Sequence, residues 1–230
     1  MKLQLPRANF KARRRKRRRR KKGDRAIARS SKPFVLSAHH QLLWALVGLL
    51  LTIGGTLVEA FVTNSPWNWH ARGIQPQSLG VTWQIVAGLL VGCVGGKKAG
   101  ALSQLAYIIL GLTGLFPVFT QGGGWSYLLE PTFGYILGFI PGAWLCGLLA
   151  FRYKLTVESL AFSSIVGLLA IHGFGIVYLL GLHLLGSPGN ESTFLTQSIL
   201  EYSVNPFPAQ LALVCAIASL AYLLRQILFY

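Results

Sequence analysis

Long apolar runs, separated by short polar stretches, make up most of the chain beyond residue 40. A hydrocarbon core about 30 Å thick requires about 20 apolar residues in each helix that crosses it, and a helix satisfies the backbone polar groups that lipid cannot. The pattern therefore predicts an all-α polytopic membrane protein, a bundle of six transmembrane helices within residues 41–230. The predicted spans are 41–62, 81–96, 100–119, 132–151, 157–185 and 209–229. The fifth is longer than a straight span, which indicates a tilted helix or a break near Gly173 or Gly175.

Positive charge is concentrated at the N-terminus. The chain has 22 Lys and Arg residues against six Asp and Glu residues, and residues 1–32 hold 16 of those basic residues with a single acid, Asp24. The remaining residues, 33–230, therefore carry only six basic and five acidic side chains. Charged residues are 12% of the whole chain, about half of the roughly 25% found in soluble domains. This low charge density supports the membrane assignment.

The run RRRKRRRRKK at residues 13–22 contains neither an acid nor an apolar residue. Like charges repel and nothing in the run can form a core, so we predict that residues 1–40 are a disordered cytoplasmic tail and linker. The tail could bind anionic lipid, at about 1 kcal/mol per basic residue near the surface, bind nucleic-acid phosphates, or have no function. Because no aromatic residue is interleaved to stack on bases, the pattern favours anionic lipid, and no nucleic-acid partner is expected.

The few basic residues of the body predict its orientation. If the N-terminus is cytoplasmic, only Arg72 lies outside, and the others share the inner side: Lys97, Lys98, Arg152, Lys154 and Arg225. The positive-inside rule then places both termini in the cytoplasm, and we expect the protein in the cell membrane. The outer loops, 63–80, 120–131 and 186–208, are long, whereas the inner loops have only a few residues. Long outer loops over a compact bundle suggest that a molecule is captured from outside.

Small residues recur every fourth position in three of the predicted helices. Two of these sets, Gly88-Gly92-Gly96 and Gly134-Gly138-Gly142, predict close helix packing inside the bundle. The third set lies on the first helix, directly after the cytoplasmic tail, and comprises Gly48, Thr52, Thr56 and Ala60. For this set our hypothesis is a smooth face presented to a partner protein.

No sequence motif for catalysis is present. The chain contains no G-x-x-x-x-G-K-[ST], no H-E-x-x-H and no G-x-S-x-G, so we expect neither an enzyme nor a cofactor or metal site. Cys93, Cys146 and Cys215 lie in three different apolar runs and are interpreted as small packing residues. His172 and His183 are eleven residues apart and share a helix face. They either line a pathway, or His172 is a hydrogen-bonded core residue and His183 is hydrated at the outer interface.

The acidic residues also limit the possible transport mechanisms. All of them fall near span ends or in loops, whereas ion-coupled carriers usually place a carboxylate inside a span. Without such a carboxylate and without a P-loop, the sequence supports neither an autonomous ion-coupled carrier nor an ATPase. A transporter of this kind would need a partner, or would act as a capture subunit.

Three segments resemble the BioY family, the biotin-specific S components of energy-coupling-factor (ECF) vitamin transporters. Within residues 100–149 the chain reads G-x-x-x-x-x-x-Y-x-x-L-G, then P-V-F, a Gly cluster, and P-T-x-G-Y-x-x-G-F. The other two segments are GIVYLLGLHLLG at 175–186 and NPFPAQLALVCA at 205–216. The resemblance covers roughly residues 41–228 in the number and order of spans.

The resemblance implies a function. Members of this family have six helices with both termini in the cytoplasm, and they capture the vitamin beneath the outer loops. Separate subunits hydrolyse ATP, and a transmembrane coupling protein docks on the S component. We therefore expect a subunit for biotin uptake that binds biotin from outside and is energised by ATPase and coupling subunits. The alternatives are an S component for another small vitamin-like ligand, and a non-transporting membrane scaffold that uses its polybasic tail.

The resemblance also implies where biotin binds. An apolar pocket with a few placed polar groups suits the ureido ring, the sulfur ring and the chain. Aromatic surface is expected from Phe119, Trp125, Tyr135 and Tyr178, hydrogen bonds from Gln121, Thr132, Asn205 and Gln210, and close approach at Gly134. Trp125 fits an interfacial aromatic belt equally well.

Three positions depart from the family pattern. Glu130 and Phe133 stand where the family usually has Gly. The family's last helix opens with Pro-Gly-Asp and a Lys three residues after the Asp, where this chain has Gln210 and Leu213. Gln210 can still donate to and accept from a ureido group, but Leu213 cannot meet a carboxylate. Either another group meets the carboxylate, or the ligand differs.

Overall fold

The computed structural model describes residues 37–120, 122–185 and 192–229. Five of its helices are long and apolar enough to cross a membrane, and the fold is predominantly helical, as predicted. The predicted tail, apart from residues 37–40, lies outside the described residues. The elements in chain order are α1 (Ala38–Leu57), β1 (Glu59–Thr63), α2 (Trp69–Arg72), β2 (Pro76–Thr82), α3 (Gln84–Thr113), α4 (Phe133–Arg152), α5 (Val157–Leu184), α6 (Ser192–Ile199), the π-helical segment Leu200–Val204, and α7 (Phe207–Phe229).

Helix α3 reverses direction at Gly96. This residue has φ +82° and ψ 175°, a conformation that glycine adopts readily because it lacks a Cβ. Gln84 Nε2 donates to the hydroxyl of Tyr107 at 2.8 Å, although 23 intervening steps of straight helix would separate the two by roughly 35 Å. The segments 84–95 and 97–113 therefore pack antiparallel against each other. They correspond to the predicted spans 81–96 and 100–119, while the count of six membrane crossings stays a prediction.

A two-stranded antiparallel sheet follows α1, and the prediction of an all-α fold missed it. Strand Glu59–Thr63 pairs with Pro76–Thr82, with Phe61 opposite Ser78. The first span consequently ends at Leu57 and not at residue 62. A strand of five residues is too short to show a clear alternating pattern inside a longer apolar run. Its pairing partner lies beyond the following loop, so the local sequence does not reveal the pairing.

Helices α4 and α5 lie within one residue of the predicted spans 132–151 and 157–185. No break interrupts α5 near Gly173 or Gly175. The predicted outer loop 186–208 holds α6 and the π-helical segment, and the last helix begins two residues earlier than predicted.

The small-residue stripe of α1 is buried inside the chain, so the hypothesis that it faces a partner protein is wrong. A Cβ on Gly48 would lie 2.7 Å from Ser103 Cβ, and Thr52 and Thr56 are buried against α3. The opposite face of α1 is exposed and consists of leucines, including Leu46. Lipid is as apolar as leucine, so burying leucine between helices brings no hydrophobic gain. The small residues form the close helix contact instead.

The glycines of α3 and α4 pack inside the bundle, as predicted, except for Gly96. A Cβ on Gly92 would lie 2.7 Å from the carbonyl oxygen of Ala143, and one on Gly138 would lie 2.8 Å from that of Ile171. These contacts bring the backbones of α3, α4 and α5 together. Gly96 instead forms the reversal within α3.

Arg225 fastens the last helix to the ends of two others. Its guanidinium donates to the carbonyl oxygens of Ala150 at 2.8 Å and Cys93 at 3.5 Å, and lies 4.1 Å from the ring centroid of Phe151. Both carbonyls belong to the last turns of their helical segments, where backbone acceptors lack helical partners and carry partial negative charge. The buried cation is therefore compensated by helix ends.

Candidate ligand-binding site

Four buried polar side chains from four elements form one hydrogen-bonded chain, which we call the His172 network. Tyr135 of α4 lies 2.6 Å from Ser203 Oγ in the π-helical segment. Ser203 Oγ lies 3.2 Å from His172 Nδ1 of α5, and His172 Nε2 lies 2.8 Å from Gln210 Oε1 of α7. All four side chains are between 5% and 7% exposed. Residues separated by up to 75 positions thus meet at one place in the bundle.

Local backbone features make this meeting possible. The π-helical turn Leu200–Val204 buries Ser203 while its neighbour Val204 is exposed, and such turns often occur at functional sites. On α5, a Cβ at Gly175 would lie 2.4 Å from the ring of Tyr135. Glycine at this position therefore gives the Tyr135 ring its space between α4 and α5.

The rings of Phe207 and Tyr202 pack against the His172 network. The His172 ring centroid lies 5.8 Å from that of Tyr135 and 5.4 Å from that of Phe207, both edge to face. Tyr202 lies 6.2 Å from Tyr135. A few hydrogen-bonding groups within an aromatic enclosure are typical of sites for small organic molecules.

A second group of rings, which we call the aromatic row, lies beside the network. Successive centroids are 4.7 to 6.3 Å apart, along Tyr107, Phe119, Tyr127, Phe133 and Tyr178. The Tyr127 hydroxyl lies 3.0 Å from Thr132 Oγ1, and the Tyr178 hydroxyl donates to the carbonyl oxygen of Leu128. The row thereby ties the loop between α3 and α4 to α3, α4 and α5.

The predicted ligand residues divide into three groups. Tyr135 and Gln210 belong to the His172 network, while Phe119, Thr132 and Tyr178 belong to the aromatic row. Gly134 joins the two groups, because it neighbours Tyr135 in the chain and a Cβ on it would lie 2.2 Å from Tyr178 Cβ. Trp125 is 73% exposed and Asn205 is exposed, so the structure places neither inside the enclosure. Gln121 lies outside the described residues. The role of each in binding stays a prediction.

The sequence did not point to Ser203, and it did not pair His172 with Gln210. For His172 the sequence left two interpretations open, and its two hydrogen bonds make it a bonded core residue at the centre of the candidate site. A histidine within an apolar span was the available signal. Ser203 gave no such signal, because its burial depends on the π-helical turn.

The His172 network contains no charged side chain. The position at which the resembled family carries Lys is Leu213, which is buried and belongs to the apolar core. The hydrogen-bonding groups of the network are a hydroxyl pair, an imidazole and an amide. They suit a ligand whose polar part is neutral, such as a urea-like group.

A second buried polar group lies between α1 and α3, and we call it the Tyr107 cluster. The Tyr107 hydroxyl donates to the carbonyl oxygen of Val118 at 2.7 Å, accepts from Gln84 at 2.8 Å and lies 3.3 Å from Thr56 Oγ1. Gln104 Nε2 lies 3.0 Å from Thr52 Oγ1. These contacts fasten α1 to the reversed segments of α3.

An apolar groove of about 380 Å³ opens between α1, α3 and α7. Leu51, Gly54 and Val58 line it on one side, and Trp83 and Ile217 on the other. It offers almost no polar surface, so a urea or carboxylate group would lose its hydrogen bonds with water there. The His172 network is therefore the better candidate for a polar ligand.

Comparisons with known proteins agree on one family. The BioY family model matches residues 32–228. A probable biotin transporter BioY of Lysinibacillus sphaericus is 46% identical over 99 residues, which cover 43% of this chain and 50% of that protein. The Biotin transporter BioY of Thermotoga maritima is 42% identical over 105 residues, 45% of this chain and 57% of that protein. The chain thus spans about half the length of these curated relatives.

Two further matches extend over most of the chain. An uncharacterized 21.2 kDa protein of Cyanophora paradoxa is 30% identical over 206 residues, 87% of this chain and 99% of that protein. A solved structure of the S-component for biotin from an ECF-type ABC transporter shares the fold, with a TM-score of 0.60 at 18% identity over 84% of this chain and 95% of that one. On the extent of the family match, the chain belongs to the BioY family.

Proposed function

We propose that the protein captures biotin at the outer side of the cell membrane and serves its uptake. One observation carries the proposal: Tyr135 and Gln210, from two separate family-like motifs, meet in the aromatic-lined His172 network. The names of the relatives, which include biotin transporters, agree with it. The two motifs lie far apart in the chain, so their convergence on one enclosure supports a common ligand.

We place the ureido ring of biotin beside Tyr135 and Gln210, where hydrogen-bonding groups meet aromatic faces. The sulfur ring and the chain then lie along the aromatic row, which includes Phe119 and Tyr178. Thr132 and Gly134 support the junction between these two parts. The remaining predicted residues, Gln121, Trp125 and Asn205, are proposed to cover the ligand from the outer side.

We also propose six membrane crossings, with the segments 84–95 and 97–113 counted separately. The reversal at Gly96 lies beside the end of α4, since a Cβ on Gly147 would lie 2.4 Å from Lys97 N. The start of α1 reaches the same end through Trp44 and Gly95, and the end of α7 reaches it through Arg225. The start of α1 and the end of α7 thus lie at the same end of the bundle as most of its basic residues, which supports cytoplasmic termini.

Uptake needs an energy source, and the sequence contains no P-loop for ATP hydrolysis. We propose that separate ATPase and coupling subunits supply it. The basic residues of the tail, 1–32, are proposed to contact anionic lipid at the cytoplasmic surface.

Equilibrium binding of labelled biotin to the detergent-purified protein tests the proposal. We expect saturable binding in the nanomolar to micromolar range that does not depend on salt. Gln210→Met should weaken it by about tenfold to a hundredfold, because a ligand contact is lost and His172 keeps a buried donor without its acceptor. Gln104→Met makes the same change in the Tyr107 cluster and is the matched control.

Two results would contradict the proposal. A folded protein that binds no biotin at high micromolar concentration would exclude biotin as the ligand. Equal weakening by Gln210→Met and Gln104→Met would place the site elsewhere.

A second candidate is an S component for a different small ligand. Leu213 in place of the family Lys favours it, because the buried leucine cannot pair with a carboxylate. Thermal-shift measurements with neutral vitamin-like molecules would identify such a ligand by an increase in Tm larger than that given by biotin.

A further inference from the structure

We infer that His172 is a positioning residue that holds the side-chain amide of Gln210 with its NH2 group toward the ligand, so that the site selects an acceptor oxygen at this point. The inference rests on the proposed function, because it specifies how the proposed site reads its ligand. It assigns a hydrogen-bonding direction to a contact between two side chains.

The first step is the contact between His172 and Gln210. His172 Nε2 lies 2.8 Å from Gln210 Oε1. An amide oxygen can only accept, so the proton of this hydrogen bond lies on His172 Nε2. The Gln210 side chain makes no hydrogen bond through its Nε2 to any residue that the structure describes. Its two N–H groups are therefore the unused end of the network.

The hydrogen bonds of the His172 network all run in one direction, from Tyr135 to Gln210. With the proton on Nε2, a neutral His172 accepts at Nδ1 from the Ser203 hydroxyl, 3.2 Å away. Ser203 Oγ then accepts from the Tyr135 hydroxyl, 2.6 Å away. In this order Tyr135, Ser203 and His172 each donate to the next side chain, and the Gln210 oxygen accepts the last hydrogen bond. The reverse order would leave the Tyr135 proton without an acceptor among the described residues, a costly outcome for a buried hydroxyl.

The third step concerns the ligand. The Asp that the resembled family has at this position is an acceptor when ionised, whereas Gln210 held in this way is a donor. The loss of the family's Lys at Leu213 fits the same change, because a donor amide now faces the ligand without a neighbouring cation. Biotin carries two kinds of acceptor oxygen, the ureido carbonyl and the carboxylate. Both oxygens can accept from the Gln210 NH2 group, and the proposed placement of the ureido ring makes the ureido carbonyl the expected acceptor.

Binding of three compounds separates these possibilities: biotin, 2-iminobiotin, which lacks the ureido oxygen, and norbiotinamine, which has an amine in place of the carboxylate. We expect the wild-type protein to bind one analogue more weakly than biotin by about tenfold or more, the equivalent of one hydrogen bond. Weak 2-iminobiotin binding assigns the ureido oxygen, and weak norbiotinamine binding assigns the carboxylate. Tighter binding of protonated 2-iminobiotin than of biotin would overturn the inference, because it would show an acceptor at this point.

Variants of His172 connect this selectivity to the positioning role. In His172→Leu the ratio between biotin and the disfavoured analogue should fall by about tenfold, because the amide can then rotate. His172→Gln keeps an N–H donor near the Nε2 position and should retain the ratio. His183→Phe, a substitution on the same helix outside the network, is the control. An unchanged ratio in a folded His172→Leu protein would overturn the inference and leave biotin capture standing.

A spectroscopic measurement tests the same point without a variant at the site. The nitrogen NMR shifts of the ligand-free wild-type protein should show His172 in the neutral Nε2–H form, with its signals assigned from their absence in His172→Gln. Observation of the neutral Nδ1–H form would overturn the inference even if His172→Leu does not fold. A wild-type protein that binds neither biotin nor the analogues would overturn the proposed function, and the inference with it.

Discussion

The Tyr107 cluster and the His172 network contain similar side chains but differ in which hydrogen-bonding groups they leave unused. In the Tyr107 cluster, the Tyr107 hydroxyl donates to the main-chain carbonyl of Val118, and Gln104 is 0% exposed. The Gln104 oxygen is buried without a hydrogen-bond partner among the described residues, and the backbone of Gly88 packs against this amide. In the His172 network, Gln210 is 7% exposed, and its amide oxygen accepts from His172 while its NH2 group has no partner among the described residues. A sealed cluster fastens helices together, whereas a network with a reachable donor can also bind.

Four substitutions test this difference. The largest effect is expected from Gly48→Leu, beside the Tyr107 cluster. The first side-chain carbon would lie 2.7 Å from Ser103 Cβ and 2.9 Å from Val91 Cγ1, so α1 must move away, at a cost of about 3 kcal/mol or more. Gly54→Leu is the matched control, because a Cβ there meets nothing within 4 Å. Thermal unfolding in detergent should show a large fall in Tm for the first variant only, and equal Tm values would mean that α1 is not held there.

Tyr107→Phe should destabilise the protein by about 2 kcal/mol. The change removes one hydroxyl and leaves the Val118 carbonyl and the Gln84 amide without their partner. The measurement is the free energy of unfolding of this variant and of the wild-type protein. A change below about 0.5 kcal/mol would show that water or a rearranged side chain replaces the hydroxyl.

Tyr135→Phe removes one hydroxyl from the other group and should act mainly on binding. Only Ser203 loses a described partner, so the loss of stability should be about 1 kcal/mol. Biotin affinity should fall by about tenfold, because Ser203 no longer receives the hydrogen bond that sets the direction of the network. Calorimetric titration measures the biotin affinity, with Tyr107→Phe as the reference variant. Equal losses of affinity and of unfolding free energy in the two variants would contradict the expected difference between the two groups.

The smallest effect is expected from Gln104→Met. The substitution removes two donated hydrogen bonds, to Thr52 and Ser103. It also removes a buried oxygen without a partner, whose desolvation costs about 1–3 kcal/mol. The two contributions oppose each other, so the free energy of unfolding should change by less than about 1 kcal/mol. A loss as large as that of Tyr107→Phe would mean that the Gln104 oxygen is satisfied by bound water.

Helix positions were predictable where a single apolar run determines them. Helices α4 and α5 follow the runs at 132–151 and 157–185 within one residue, because length and hydropathy are local properties of a span. The end of α1 was not predictable. Its apolar run continues into strand Glu59–Thr63, and only pairing with Pro76–Thr82 separates strand from helix.

The candidate site was predictable in part. Family-like motifs pointed to Tyr135 and Gln210, and the structure brings both into the His172 network. Ser203 was missed, because its burial depends on a π-helical turn that leaves no mark in the composition. Trp125 and Asn205 were placed in the site by residue type, yet both are exposed.

By itself, the sequence determined the apolar spans, the charge difference between tail and body, and the family-like motifs. Each of these can be read within one stretch of chain. The buried face of α1, the reversal of α3 at Gly96 and the contact between His172 and Gln210 Oε1 follow from the tertiary structure and not from the sequence pattern. The physical reason is that apolar runs specify burial in lipid without specifying partners. Contacts between helices depend instead on close packing of small residues and on buried hydrogen bonds between distant side chains.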